Sequence, residues 1–265
     1  MSLTLDLAGR VAVVTGGTRG VGAGIARTFL QAGAEVVVCA RRPPDTPVEA
    51  GGRTAHFRSV DLRDPAAVRD FFADVAAEHG RLDCLVNNAG GTPYRLLGET
   101  DAARHARVVE LNLTAPMTAS LAAYDVMRTQ HGGGSVIMIG SVSGTRPSPG
   151  TAAYGAAKAG LDNLARSMAV EWAPAVRVNT LVLGMVRTEL SALHYGDETG
   201  LAAVGATVPL GRLAEPAEIG DACVFLASDR AAYVSGASLL VHGGGERPAF
   251  LDAATANHPE DRKEK

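Results

Sequence analysis

Tyr154 and Lys158 stand four residues apart in SPGTAAYGAAKAGLDNLA, residues 148–165, a stretch otherwise built mainly of alanine, glycine and leucine. On a helix, positions i and i+4 lie one turn apart on one face, so a phenol and an ammonium there can meet a single ligand. Taken alone, the fragment reads more simply as an amphipathic helix with a half-buried tyrosine and a snorkelling lysine. A second stretch changes that balance. TGGTRGVG, residues 15–22, follows a β-branched apolar run and opens a helical pattern. Gly16, Gly20 and Gly22 remove side chains where backbone must turn sharply and approach a ligand. The helix behind them offers free N–H groups and a positive dipole end to a pyrophosphate. A lone glycine trio is weak evidence, but after the first strand of a βαβ unit it points to a bound dinucleotide.

The elements that must position these residues are legible as an alternation. Residues 10–15, 35–39, 54–60, 82–88, 135–140 and 176–183 read as strands, several apolar without alternation, as strands covered on both faces are. Residues 20–32, 65–79, 101–130, 151–172 and 215–227 read as helices, with Pro65 and Pro216 suited to first helical positions. The run 237–242 adds an edge strand. Strands alternating with helices imply right-handed crossovers and a parallel sheet with helices on both faces. Residues 1–251 read as one domain and the charged stretch 252–265 as a flexible tail. With 46% apolar and only 5% aromatic residues among 265, the core must be aliphatic. A net charge of −3 gives no sign of a nucleic-acid surface. The first residues do not read as a secretion signal, and no apolar run reaches the length of a membrane span. Cys39, Cys84 and Cys223 lack metal-ligand spacing and suit buried thiols in a reducing cytoplasm, with no metal expected.

With the glycine turn, Asn87-Asn88-Ala89-Gly90 and Tyr154-x-x-x-Lys158 in order, residues 9 to about 245 resemble the short-chain dehydrogenase/reductase family. The resemblance implies a doubly wound Rossmann fold on a mostly parallel seven-stranded sheet, and NAD(P)-dependent exchange between a ketone and a secondary alcohol. It implies that Thr15, Gly16, Thr18, Arg19, Gly20, Val21 and Gly22 form the diphosphate turn, and that Asp61 and Leu62 border the adenine. Asn88, Ala89 and Gly90 border the ribose, while Gly184, Val186 and Thr188 approach the carboxamide. Leu183 replaces the family's proline, which loosens the expected loop at Val186 and Thr188, and His242 stands where many members carry aspartate. The implied catalytic set is Asn112, Ser141, Tyr154 and Lys158. Ser141 would polarise the substrate oxygen, Tyr154 would act as acid/base, and Asn112 would anchor a proton-relaying water. A free tyrosine has a pKa of about 10, and an adjacent ammonium favours the phenolate, so Lys158 is expected to lower it.

Charge decides the expected cofactor. A carboxylate ending the second strand selects NAD by meeting the ribose hydroxyls and repelling a 2′-phosphate. Here Ala40 stands there, followed by Arg41 and Arg42, with Arg19 in the glycine turn; arginine binds phosphate bidentately. NADP(H) is therefore the expected cofactor and NAD(H) the alternative. Residues 189–209 match the family's substrate lid, with Leu190, Leu193 and Leu201 supplying an apolar side suited to a lipophilic ketone or 3-oxoacyl substrate. Tyr94, Arg95, Thr145 and Arg146 border the same region. A non-catalytic sensor of the dinucleotide would keep the glycine turn and lose the catalytic set, yet all four members are present. The family also implies a homotetramer.

Overall fold

The computed structural model describes residues 5–254. Chain order runs β1 (Val11–Thr15), α1 (Gly20–Gln31), β2 (Glu35–Ala40), a two-strand hairpin of β3 (Glu49–Ala50) and β4 (Arg53–Thr54), then β5 (His56–Ser59), α2 (Pro65–His79) and β6 (Cys84–Asn87). It continues through α3 (Ala102–Val109), α4 (Ala115–Met127), β7 (Gly134–Ser141), α5 (Ala152–Glu171) and β8 (Val176–Leu183). The last elements are α6 (Ala192–Tyr195), α7 (Glu198–Thr207), α8 (Pro216–Ala227), β9 (Ser238–Val241) and α9 (Ala249–Ala253). Seven parallel strands pair in the order β5-β2-β1-β6-β7-β8-β9. The chain winds outward from β1 in one direction and then from β6 in the other. The carboxyl ends of β1 and β6 therefore flank the switch point, where such sheets leave a crevice.

Period-two alternation sorts the core into two layers. Val13, Leu85, Val136 and Met138 face α2, α4 and α5, where they meet Phe72, Ala119 and Leu161. Val14, Val86, Ile137 and Leu181 face α1 and α8, where they meet Ile25, Phe29 and Ile219. Helix α2 starts as its sequence suggests, with the Asp64 side chain accepting from Ala66 and Ala67 N–H ahead of Pro65. Helix α8 starts at Pro216, where Glu218 reaches back to the Glu215 N–H at 2.8 Å.

Four differences from the sequence reading stand out. The expected helix 101–130 is divided by one π-helical turn, Glu110–Thr114. The expected strand 54–60 divides between β4 and β5. Residues 189–209, the expected lid, carry two short helices, α6 and α7. Its leucines do not share one face: Leu201 is buried and Leu193 is exposed. Of the tail 252–265, residues 255–265 lie outside the described residues.

The amino end of the sheet is fixed by a buried carboxylate. Asp83, entering β6, accepts from the Val11 N–H at 2.8 Å, from Arg81 at 2.7 and 2.6 Å and from Arg10 at 3.1 Å. Burial pushes its pKa up, but Arg81, the Val11 N–H and Arg10 together hold it below the usual carboxylate value. A depressed folded pKa means that this stabilisation is present above about pH 4 and is lost as pH falls through the folded value. Asp83→Asn is expected to lower unfolding free energy at pH 7 by about 3 kcal/mol in urea titrations, the range for breaking a buried pair. The gap from wild type should close as pH falls through the depressed folded value and the aspartate is protonated; a gap that stays constant through acid titration contradicts the assignment.

Candidate active site

The turn between β1 and α1 is held from below by Thr15 and Asn88. Thr15 Oγ1 accepts from the Asn88 and Ala89 N–H groups, both at 3.0 Å, and donates to the Val86 carbonyl at 3.3 Å. Asn88 Nδ2 donates to the Thr15 carbonyl at 2.9 Å and to that of Gly16 at 3.3 Å. The strand ends of β1 and β6 are thereby stitched together. Gly16 needs its positive φ of 63°, and a Cβ on Gly22 would stand 2.3 Å from the Gly16 carbonyl oxygen. Only glycines let α1 begin this close to the turn.

A cleft of about 920 Å³ opens over this turn and runs along the carboxyl edge of the sheet. Its floor and walls carry Gly16, Thr18, Arg19, Gly20, Val21 and Gly22, then Arg41, Asp61, Leu62, Asn88, Ala89 and Gly90, and at the far end Ser141, Tyr154, Lys158 and Thr188. Thr15, Asn112, Gly184 and Val186, also expected at the site, do not line it. They act from behind: Gly184 packs on His242, where a Cβ would come within 2.9 Å, and Val186 bridges to Ala214.

Lys158 is 4% exposed, and its Nζ donates to the Ile139 carbonyl at 2.7 Å. Burial pulls its pKa down to about 8. Nζ lies 5.5 Å from the centre of the Tyr154 ring. Tyr154 is half-buried, and burial raises its phenol above the usual tyrosine value, against a hydrogen bond with Ser141 that lowers it. The sequence led us to expect a lowered phenol. The ammonium is aimed at Ile139 and stands over the ring rather than at the hydroxyl, so desolvation wins.

Ser141 ends β7, and its Oγ also accepts from the Ser143 N–H at 3.1 Å. The turn 142–144 touches α5 backbone to backbone: a Cβ on Gly144 would lie 2.7 Å from the Ala159 nitrogen, and one on Gly155 2.6 Å from the Ser143 carbonyl oxygen. This explains the lean composition of the helix. Small residues let it approach the strand end that carries the serine.

Asn112 sits fully buried in the π-helical turn. Its Nδ2 donates to the carbonyls of Val108 at 2.9 Å and Gly91 at 3.0 Å, and Oδ1 accepts from the Gly91 N–H at 2.9 Å. Both amide donors are spent on backbone, so the side chain fixes the Gly90–Gly91 segment, while Oδ1 keeps a second lone pair. A Cβ on Gly90 would fall 2.5 Å from that Oδ1 and 3.6 Å from Lys158 Nζ. Asp61 is gripped by Arg63 through contacts of 3.0 and 2.6 Å, which hold its carboxyl at about 2.

Sequence reasoning missed Arg63, Arg104 and Arg107, which line the cleft. The i, i+3 spacing of the last two on α3 is the only signal they leave.

A model of the family described as enoyl-(acyl carrier protein) reductase matches residues 16–246. The chain belongs to the short-chain dehydrogenase/reductase family. Among the relatives of this short-chain dehydrogenase/reductase is the Escherichia coli 3-oxoacyl-[acyl-carrier-protein] reductase FabG. It is 36% identical over 244 residues, covering 91% of this chain and 98% of that one. The L-fucose dehydrogenase of Oryctolagus cuniculus is 37% identical over 252 residues, covering 90% and 86%. The Pseudomonas aeruginosa RhlG/NADP active-site complex superposes with a TM-score of 0.82 at 31% identity, covering 92% and 99%. The chain is accordingly an NAD(P)-dependent oxidoreductase that acts on an alcohol or its ketone. The cleft itself fits a dinucleotide, since its glycines are those whose side chains would fill it or collide with its walls.

Gly22→Ala places a methyl against backbone that cannot yield without moving the turn. It is expected to weaken binding of ADP, read by calorimetry, by about tenfold or more, the scale of a lost close contact and its hydrogen bonds. Its melting point should fall modestly. Unchanged ADP affinity would show that the turn does not carry the diphosphate.

Proposed function

We propose that this enzyme transfers hydride between NADP(H) and a ketone or secondary alcohol, with a lipophilic 3-oxoacyl thioester as the favoured substrate class. The observation that carries this reading is the convergence of Ser141, Tyr154 and Lys158 at one end of the cleft whose other end is the glycine turn.

The bound dinucleotide would supply or accept the hydride. The N–H groups opening α1 would meet its diphosphate, and Ala89 and Gly90 its ribose. Arg41 and Arg19, with Ala40 in place of a carboxylate, would favour a 2′-phosphate over a bare ribose hydroxyl. Asp61, gripped by Arg63, would lie beside the adenine, and Leu62 would pack on it. Thr188 would meet the carboxamide, on a segment whose path Gly184 and Val186 set from behind.

Ser141 would donate to the substrate oxygen as negative charge grows there, a preorganised contact of the kind that dominates many catalytic sites. Tyr154 would deliver the proton to that oxygen in reduction and take it back in oxidation. The Lys158 ammonium would favour the phenolate left behind and donate to ribose hydroxyls, at the expense of its bond to Ile139. Asn112 would act as a positioning residue through Gly91. Leu190, which lines the cleft, supports an apolar substrate, as does the acyl substrate named for the FabG relative. The exposed Leu239 and Leu240 on β9 and Val170 on α5 support self-association, and we propose a homotetramer. Three buried free cysteines support a reducing cytoplasmic setting.

Purified protein should oxidise NADPH in the presence of ketones or 3-oxoacyl thioesters, with NADPH preferred over NADH in kcat/KM. Tyr154→Phe should cut kcat by about 10²–10⁴-fold, the worth of a positioned acid, while NADPH still binds by fluorescence titration. Substantial turnover in the variant would remove Tyr154 as the acid, and preference for NADH would remove the NADP(H) reading.

A further inference from the structure

Glu189 stands one residue beyond Thr188, on the segment that leaves β8 and crosses the mouth of the cleft. Its Oε1 accepts the Gly20 N–H at 2.9 Å. Gly20 is the first residue of α1, and Arg19 at the N-cap position gives that helix no side-chain cap. An exposed carboxylate, 169 residues away in sequence, therefore caps the helix that begins the diphosphate cradle. Carboxylate and phosphoryl oxygens seek the same donor for the same reason, negative charge at the positive end of a helix.

The surrounding contacts show a segment satisfied by its own groups. Thr188 offers its N–H to Ser191 Oγ at 2.8 Å, and its hydroxyl lies 3.5 Å from the same atom. Thr188 also faces Gly20, whose Cβ, if present, would meet Thr188 Cγ2 at 3.6 Å. Just before it, Arg187 donates its N–H to the Ala214 carbonyl at 2.8 Å and its guanidinium to both oxygens of Glu198 at 3.0 Å. The segment is thus anchored on its outer side, and the exposed Glu189 carboxylate is held by its bond to Gly20. Behind it lies a second cavity of about 650 Å³, lined by Glu189, Arg27, Asp45 and Glu215, with room to receive the carboxylate. Gly20, Arg19 and Thr188 form the wall that the two cavities share.

We propose that Glu189 is an affinity-setting latch: its carboxylate holds the α1 amide in the free enzyme, and a diphosphate must displace it, releasing residues 189–195. The latch rests on the dinucleotide reading of the cleft but not on the choice between NADP(H) and NAD(H), nor on the substrate. Displacement leaves a carboxylate beside a diphosphate, so the same residue holds affinity down and speeds release of the spent dinucleotide. Release steps of this kind set the turnover of many enzymes.

ADP carries the diphosphate without the nicotinamide half that would engage the rest of the lid, so it is the probe of choice. On the full-length protein at low salt, Glu189→Ala should bind ADP about three- to tenfold more tightly than wild type, and the gain should shrink at high salt as the charge is screened. Glu189→Gln, which keeps an acceptor and loses the charge, should gain part of it. In hydrogen exchange, ADP should speed exchange across residues 189–195 of wild type. Glu189→Ala should show that faster exchange without ligand and change little on adding ADP. Unchanged or weaker ADP binding in both variants overturns the latch, and so does exchange at 189–195 that ADP leaves unchanged or slows in wild type. Wild-type protein that binds none of ADP, NADP(H) and NAD(H) would instead bring down the dinucleotide reading on which the latch rests.

Discussion

A lysine ammonium buried without a carboxylate partner among the described residues is the constraint on which this site depends. Lys158 Nζ donates a hydrogen bond to the Ile139 carbonyl, and desolvation weakens its hold on the charge. A buried cation of this kind works against stability, and proteins tolerate such groups mainly where function needs them. The surrounding elements accommodate it. Strand β7 runs far enough to put the Ile139 carbonyl beneath the ammonium and Ser141 beside the phenol. Gly90 leaves the space above the ammonium open, and the π-helical turn lets Asn112 pin the neighbouring Gly91. Such turns cost helix regularity and recur at functional sites, where they redirect a side chain that a regular helix would aim elsewhere.

Bulk is distributed to suit this arrangement. The large side chains, Phe29, Phe72, Leu161 and Met138, fill the two layers away from the cleft, and Tyr124 stacks on Trp172 at 4.5 Å at the far end of α4 and α5. Toward the site, glycines let backbone approach backbone at Gly144, Gly155 and Gly22. Close approach of rigid backbone, rather than long side chains, sets the distances among Ser141, Tyr154 and the glycine turn. The segment from Arg187 onward follows the opposite rule. Its groups are held by polar contacts, Glu189 on Gly20, Thr188 on Ser191 and Arg187 on Glu198.

Much of this was legible in the sequence, because the features involved are local. Val11–Thr15 and Val176–Leu183 are β-branched runs buried on both faces, and Pro65 and Pro216 mark helix starts through a property of proline itself. The glycine turn between β1 and α1 was legible because only glycine meets its backbone demands. The π-helical turn was not, since nothing in ELNLT departs from helical propensity; it follows from packing and from the bonds of Asn112 to Gly91. The raised Tyr154 phenol was missed because spacing shows that two heads share a stripe but not where each head points. Glu189 was invisible for a related reason: its partner is far off in sequence, and an acidic residue in a loop carries no signal of what it caps.

The chain has three lysines, Lys158, Lys263 and Lys265, and only the first lies within the described residues. That makes the buried ammonium directly observable by NMR titration of protein carrying ¹³C- and ¹⁵N-labelled lysine, with Lys158→Met to assign the signal. The account predicts that the signal lost in the variant titrates at about 8, well below an ordinary lysine at about 10.4. A Lys158 signal that titrates with ordinary lysines would contradict it.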